Sequence, residues 1–168
     1  PEDFVSVFRE CGKNYGDYFS LLPLFPLYRC FYADNSFYDF SPDLPSLNRT
    51  LKRITNNDAD EIEGFHKFIN ANYKKYLEIN KNFLNKSFLK SYNLLKPSSI
   101  GSAADLNLSL SCMAEGRKYL NNEKLLEYLM FQSMYIGVSP YKSSSIYNTI
   151  PASSQMEGLY YVKGGIYK

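Results

Sequence analysis

The sequence has no tryptophan, one histidine and three cysteines, and each scarcity closes off a chemistry. A lone His66 cannot supply the His-rich ligand sets of most metal centres. Cys11, Cys30 and Cys112 are too far apart for a CxxC or Cys/His cluster. Their odd number and wide spacing also argue against a disulfide framework. Three reduced, partly buried thiols of a cytoplasmic protein are the expectation. No GxSxG, GxGxxG or GxxxxGK[ST] occurs, so neither a nucleophile elbow nor a phosphate cradle is encoded. No run approaches the roughly 18 consecutive apolar residues of a membrane-spanning helix. The formal net charge is only +2, from 19 basic and 17 acidic residues, without the basic excess of a nucleic-acid binder.

What is present is apolar and aromatic. Residues of hydrophobic type make up 45% of the 168, enough to build a core and to exclude a disordered linker. The 16 Tyr and 12 Phe suit a packed core, an apolar ligand channel or a boundary between wet and dry surfaces.

The pattern along the chain predicts mostly helices. Glu2 to Cys11 reads as a short helix with Phe4, Val5 and Phe8 on one face, stopped by Gly12. A short aromatic stretch from Tyr15 to Leu22 is broken by Pro23 and Pro26. Leu27–Tyr32 and Ser36–Phe40, joined by Ala33-Asp34-Asn35-Ser36, give the clearest hairpin signal. Asp43 caps a helix to Ile54 with Leu47, Leu51 and Ile54 as its stripe. After the break at Asn56-Asn57-Asp58, the longest helix runs from about Asp60 to Asn85. Its stripe is Ile62, Phe65, Ile69, Tyr73, Tyr76 and Phe83.

Lys96 to Asp105 is read as a loop or helix break. Leu106–Leu120 reads as helical. Asn121 or Asn122 caps a helix from Glu123 to Ile136 that is apolar around most of its surface and ends at Gly137. A last helix runs from Ser144 toward Met156, with Pro151 as a kink. Leu159–Val162 is a strand leading into Gly164-Gly165. The strand pieces call for partners from elsewhere, because an isolated hairpin is marginal in water. Pro1 at one end and a glycine pair near the other give both ends the look of cuts.

Single residues carry little catalytic signal. His66 sits between aromatic positions of a helix and reads as structural. The acidic cluster at 58–63 reads as a solvated helix N-terminus. No catalytic and no metal-binding residue is expected.

Stretches that local rules do not require carry a resemblance. They are Cys11-Gly12-Lys13-Asn14-Tyr15-Gly16-Asp17-Tyr18, Tyr28-Arg29-Cys30-Phe31-Tyr32 and Asp34-Asn35-Ser36. Asn121-Asn122-Glu123-Lys124-Leu125 follows, then Phe131-Gln132-Ser133-Met134-Tyr135-Ile136-Gly137-Val138-Ser139-Pro140. Ser145-Ile146-Tyr147, Ile150-Pro151 and the run from Gly158 to Tyr167 complete the order. In this order they resemble the bacterial FAD-dependent carotenoid desaturases, phytoene and dehydrosqualene desaturases, over their middle section.

The resemblance implies an α+β, mainly α-helical fold: a helical insertion plus a β-hairpin and short strand of a flavin amine oxidase-type substrate domain. It divides the chain into a hairpin segment (1–42), a helical, substrate- and membrane-facing segment (43–156) and a return strand with its Gly-Gly turn (157–168). It implies an oxidoreductase parent that removes hydrogen from a linear C30 or C40 isoprenoid, with FAD held by sequence outside this chain and none bound here. Tyr28, Arg29, Phe31, Phe131, Tyr135 and Ile136 become substrate-contact residues, and Gly164 and Gly165 face the cofactor. Cytoplasmic location, peripheral contact with the inner face of the membrane and self-association follow as further expectations. The alternatives are a non-catalytic helical interaction module and a membrane-surface binding module.

Overall fold

A computed structural model describes residues 2–81 and 110–165. The architecture is mainly α-helical, with two small antiparallel ribbons. Helix α1 (Glu2–Glu10) places Phe4 and Phe8 one turn apart, their rings 5.9 Å from each other and each 5.2 Å from Phe19. Gly12 ends it at φ +66°, where the Gly12 and Lys13 amides turn back to the Arg9 and Phe8 carbonyls.

Strand β1 (Leu21–Pro23) pairs antiparallel with β4 (Tyr160–Val162), Leu21 opposite Val162 and Pro23 opposite Tyr160. The partner that the final strand calls for is thus inside the chain, in a stretch whose prolines read as breakers. Pro23 is tolerated because it ends an edge strand, where its missing N–H costs no ladder bond. Leu24 resumes the pairing by donating to the Leu159 carbonyl at 2.8 Å.

The hairpin is found where expected, as β2 (Tyr28–Phe31) and β3 (Phe37–Phe40), with Tyr28 opposite Phe40 and Phe31 opposite Phe37. Asn35 takes φ +62° in the turn, and Asp34 Oδ1 accepts from the Ser36 amide and hydroxyl. Alternation turns Tyr28, Cys30, Tyr38 and Phe40 toward the protein and leaves Arg29, Phe31 and Phe37 exposed.

Helix α2 (Leu44–Ile54) is capped by Asp43 with Pro45 in its first turn, and buries Leu47, Leu51 and Ile54. Asn56 and Asn57, both at positive φ, lead into α3 (Ala59–Ile79), capped by Asp58. The buried face of α3 is Gly64, Phe65, Phe68, Ile69 and Asn72. Phe68, absent from the expected stripe, is fully buried, and Ile62 is only partly so. Phe83, the remainder of that helix to Asn85, and the Lys96–Asp105 loop lie outside the described residues.

The helix expected over 106–120 is only α4 (Cys112–Gly116) among the described residues of that range. Ser111 is held extended by a bridge to Ser144 and caps α4 by accepting from the Ala114 amide, so the helix cannot begin earlier. Helix α5 (Glu123–Met130), capped by Asn122, gives way to a 3-10 segment, Phe131–Ile136, before Gly137 at φ +72°. Tightening the last turns swings Met134, Tyr135 and Ile136 to the surface, correcting the reading of one apolar helix to residue 136. The final helix is also split, into a 3-10 turn (Ser145–Asn148) and α6 (Thr149–Glu157). Pro151 therefore sits in the first turn of α6, where an amide has no helical acceptor, and no kink is needed.

The core gathers Phe40, Leu47, Leu51, Phe65, Phe68, Leu125, Leu126 and Leu129 around Tyr128. Tyr128 stacks on Phe40 at 3.5 Å and 3°, and donates from its hydroxyl to Gln155 Oε1 at 2.9 Å. Gln155 in turn donates to the Ser41 carbonyl at 2.7 Å. A second buried network joins Lys75, Glu115 and Asn148. No helix among the described residues is long and apolar enough to cross a membrane.

Gly64 marks the closest approach in the core. A Cβ there would overlap the Tyr119 carbonyl oxygen, which is backbone and cannot rotate away. Gly64→Ala gains about 1 kcal/mol of helix propensity and loses more to overpacking. We expect net destabilisation of about 1–2 kcal/mol, read as a lower urea midpoint. An unchanged midpoint would mean α3 is not clamped against the Tyr119 turn.

Candidate functional site

The groove with the strongest aromatic character lies between the inner face of the hairpin and the α5 end. Its volume is 280 Å³, and Tyr28, Arg29, Cys30, Phe31, Tyr32, Glu127, Tyr128 and Phe131 line it. Period-two alternation delivers Tyr28, Cys30 and Tyr32 from the hairpin, while Tyr128 comes from α5 and Phe131, three residues on, from the start of the 3-10 segment. Tyr28 meets Phe131 edge-on at 5.0 Å and Tyr128 at 6.2 Å. Phe131 continues to Tyr135 at 6.1 Å, and the Tyr135 hydroxyl lies 3.5 Å from that of Tyr28. The result is a wall of ring edges and faces.

Lys124 fixes the hairpin to α5. Its ammonium binds Asp34 Oδ2 at 2.6 Å and Ser36 Oγ at 2.9 Å, above the rings of Tyr32 and Tyr38. Tyr32 returns a hydrogen bond to the Lys124 carbonyl at 2.9 Å. A lysine in the first turn of a helix opposes the helix dipole, and the Asp34 carboxylate offsets that. Lys124 and the Ser36 donors hold the Asp34 carboxyl far below the usual carboxylate range.

The expected contact residues divide. Tyr28, Arg29, Phe31 and Phe131 line the groove, and Tyr135 adjoins it. Ile136 is not among the lining residues and is exposed at the end of the 3-10 segment. Arg29 is committed to a two-point pair with Asp39 at 2.7 and 2.8 Å and lies over the Phe37 ring, so its charge is held at the rim. Phe31 is 76% exposed. Cys30, Tyr32, Glu127 and Tyr128 were not singled out by sequence. The alternation of the hairpin carried the signal for the first two, and Tyr128 was legible only as core.

The groove offers little acid–base chemistry. Burial pushes the phenols of Tyr28, Tyr32 and Tyr128 well above their ordinary range, so they stay neutral. Burial likewise pushes the Cys30 thiol up to about 11. Such a surface can enclose and orient an extended apolar molecule, and the one carboxylate in its lining, Glu127, is exposed.

His66 lies in another cavity, of 500 Å³, between α2, α3 and α6, with Nε2 2.8 Å from Asn48 Oδ1. Burial lowers its pKa, so the imidazole is neutral near pH 7. Gly164 and Gly165, at φ +87° and +91°, form the turn after β4, away from the groove lining. That turn permits close approach of a planar group to backbone.

The arrangement defines a mainly helical α+β unit with a groove of largely aromatic lining between the hairpin and the end of α5. No family model matches the chain. It is nonetheless similar, along nearly its whole length, to carotenoid desaturases. The 4,4'-diapophytoene desaturases (4,4'-diaponeurosporene-forming) of Staphylococcus haemolyticus strain JCSC1435 and Staphylococcus aureus strain Newman are each 31% identical to it over 167 residues, 99% of this chain. The chain spans about a third of the length of these relatives (33%). The resemblance carried by the hairpin, α5 and Gly-Gly motifs therefore holds across the sequence.

Two measurements probe the groove. Cys11 is exposed, Cys30 half-buried and Cys112 buried. Iodoacetamide at pH 8 is expected to modify Cys11 first, with Cys30 accelerating only as the pH approaches about 11. Because the folded state raises this pKa above the thiol's ordinary 9.0, Cys30 contributes stability below pH 9 that is lost as the pH rises toward 11. Equal labelling of Cys11 and Cys30 at pH 8 would contradict the partial burial of Cys30 in the groove wall. The Asp34 carboxyl has the opposite sign. Its contribution is present above its unfolded pKa, about 4, and is lost as the pH falls toward the lowered folded value. Lys124→Met is expected to flatten the acid side of the stability–pH curve. An unaltered acid limb would show that the clamp does not hold in solution.

Proposed function

We propose that this chain is the substrate-binding part of an FAD-dependent desaturase that dehydrogenates a linear C30 or C40 isoprenoid in carotenoid biosynthesis. The observation that carries the reading is the aromatic groove, whose lining phenols are held neutral, in a chain similar throughout to 4,4'-diapophytoene desaturases. A polyene precursor has no polar handle, so recognition rests on apolar area and shape. Tyr28, Phe31, Phe131 and Tyr135 supply ring surface, Arg29 braces the rim, and Ile136 extends the apolar surface beyond it.

The flavin, held by the two thirds of the parent that this chain does not span, supplies the redox chemistry when bound. Gly164 and Gly165 are the positions of this chain that face it. The hairpin segment, the helical segment and the return strand then correspond to groove wall, groove floor and approach to the cofactor. The exposed side chains Met134, Tyr135 and Tyr141 favour peripheral contact with the membrane that stores such substrates. The same surface would serve a membrane-binding module without catalysis, or self-association, if the flavin reading fails.

The test is to purify the full-length protein, record its absorbance for bound flavin, and incubate it with 4,4'-diapophytoene or phytoene in liposomes. Bound flavin and products of longer conjugation are expected. Liposome binding with neither flavin nor turnover would favour the surface module instead.

A further inference from the structure

Two cavities of the described residues lie apart from the aromatic groove. One, of 360 Å³, sits against the β1–β4 ribbon and has the Glu157 carboxylate in its lining. The other is the 500 Å³ space between α2, α3 and α6 that holds His66. Its volume falls within the range of small-molecule sites, about 300–1,000 Å³, and the groove makes no use of it.

The wall of this second space is divided by character. Leu47, Phe65 and Ile69 form an apolar floor and are almost completely buried. Leu44 and Met156 line the same space yet are 61% and 49% exposed, so two large apolar side chains stand uncovered beside that floor. The polar atoms gather at one edge. His66 and Asn70 are one turn apart on α3, and Asn48 of α2 meets His66 with Oδ1 2.8 Å from Nε2. The second ring nitrogen of His66, the Asn48 amide nitrogen and the whole Asn70 amide have no hydrogen-bond partner among the described residues. Gln155 also lines the space, but its amide is spent on Tyr128 and on the Ser41 carbonyl.

This edge selects a kind of ligand. Whichever ring nitrogen of His66 carries the proton, the His66–Asn48 pair keeps one free donor and one free acceptor. A hydroxyl, which both donates and accepts, matches that pair. Among the described residues the lining holds no carboxylate, ammonium or guanidinium. A charged head would therefore lose its hydration without meeting a counter-ion.

We propose that this cavity is a second ligand site, for a neutral amphiphile: an apolar ring or chain seated on Leu47, Phe65 and Ile69, with a hydroxyl head bound at the His66–Asn48 edge. The site stands apart from the polyene reading, because the two linings share no residue.

The probes share one body and differ in the head: 4-butylphenol, butylbenzene and 4-butylbenzoate, measured by equilibrium dialysis against the full-length protein near pH 7. The phenol is expected to bind about fivefold tighter than butylbenzene, the worth of one neutral hydrogen bond. The benzoate is expected to bind roughly tenfold more weakly than the phenol, or worse. His66→Phe combined with Asn48→Leu replaces the polar edge by apolar groups of similar shape. It is expected to erase the preference for the phenol and to leave butylbenzene unchanged. If that variant fails to fold by circular dichroism, Asn70→Trp decides: a large ring at the exposed rim is expected to weaken the phenol and butylbenzene together. The proposal is overturned by equal affinity of the native protein for phenol and hydrocarbon, or by no saturable binding of the phenol. A preference that persists in the folded double variant, or phenol binding that Asn70→Trp leaves unchanged, overturns it as well. None of these outcomes touches the groove reading, whose own test is bound flavin and turnover.

Discussion

The fold turns on one tyrosine. Tyr128 places a large ring flat on Phe40 of the hairpin and near Phe65 of α3, and its hydroxyl reaches Gln155 of α6. A phenol buried without a partner would cost about 1–3 kcal/mol, so the Gln155 bond is what allows a polar aromatic at this position. Gln155 then spends its amide on the Ser41 carbonyl, which fixes the exit of the hairpin. Hairpin, α3, α5 and α6 thus meet at one side chain. Because Tyr128 also lines the groove, the element that closes the core also shapes that groove.

Much of this frame was legible in the sequence because local rules and tertiary packing agree. Asp43 caps the helix it announces, Asn122 is the one of two candidate asparagines that caps α5, and Asn35 occupies the turn position that needs positive φ, while Asp58, read as part of a break, proves to cap α3. The misreadings fall where packing overrides periodicity. Nothing in a 3.6-residue repeat says that Phe131–Ile136 tightens into a 3-10 segment and turns its apolar side chains outward. Nothing local marks Gly64 within the helical pattern, although its missing side chain admits the Tyr119 turn. Pro151 read as a kink because the boundary at Thr149 is set by the preceding 3-10 turn, not by a capping residue.

The site was legible in part for a related reason. A resemblance in sequence marks positions, not surroundings. It picked out Tyr28, Arg29, Phe31, Phe131 and Tyr135, which the fold brings to one region, and it carried Ile136 along because that residue lies in the same motif. It could not show that Arg29 is spoken for by Asp39, or that Cys30 and Tyr32 share the wall with Tyr28. Those facts depend on strand register, which a sequence fixes only through the turn and the partner strand.

The β1–β4 ribbon has a consequence for how the chain reaches this state. It joins residues from opposite ends of the sequence by three paired positions, with two prolines close by on one side and glycines on the other. So small a ladder cannot draw distant segments together alone. Yet the entropy of closing a loop grows slowly, about 0.6 kcal/mol for each doubling of its length. Once α3 and α6 have docked, most of that cost has been met, and the ribbon closes as a zip fastener does when its two tapes already lie side by side. It is then also the first part to open when the protein breathes. The cavity beneath it inherits that looseness, while the Tyr128 stack stays rigid.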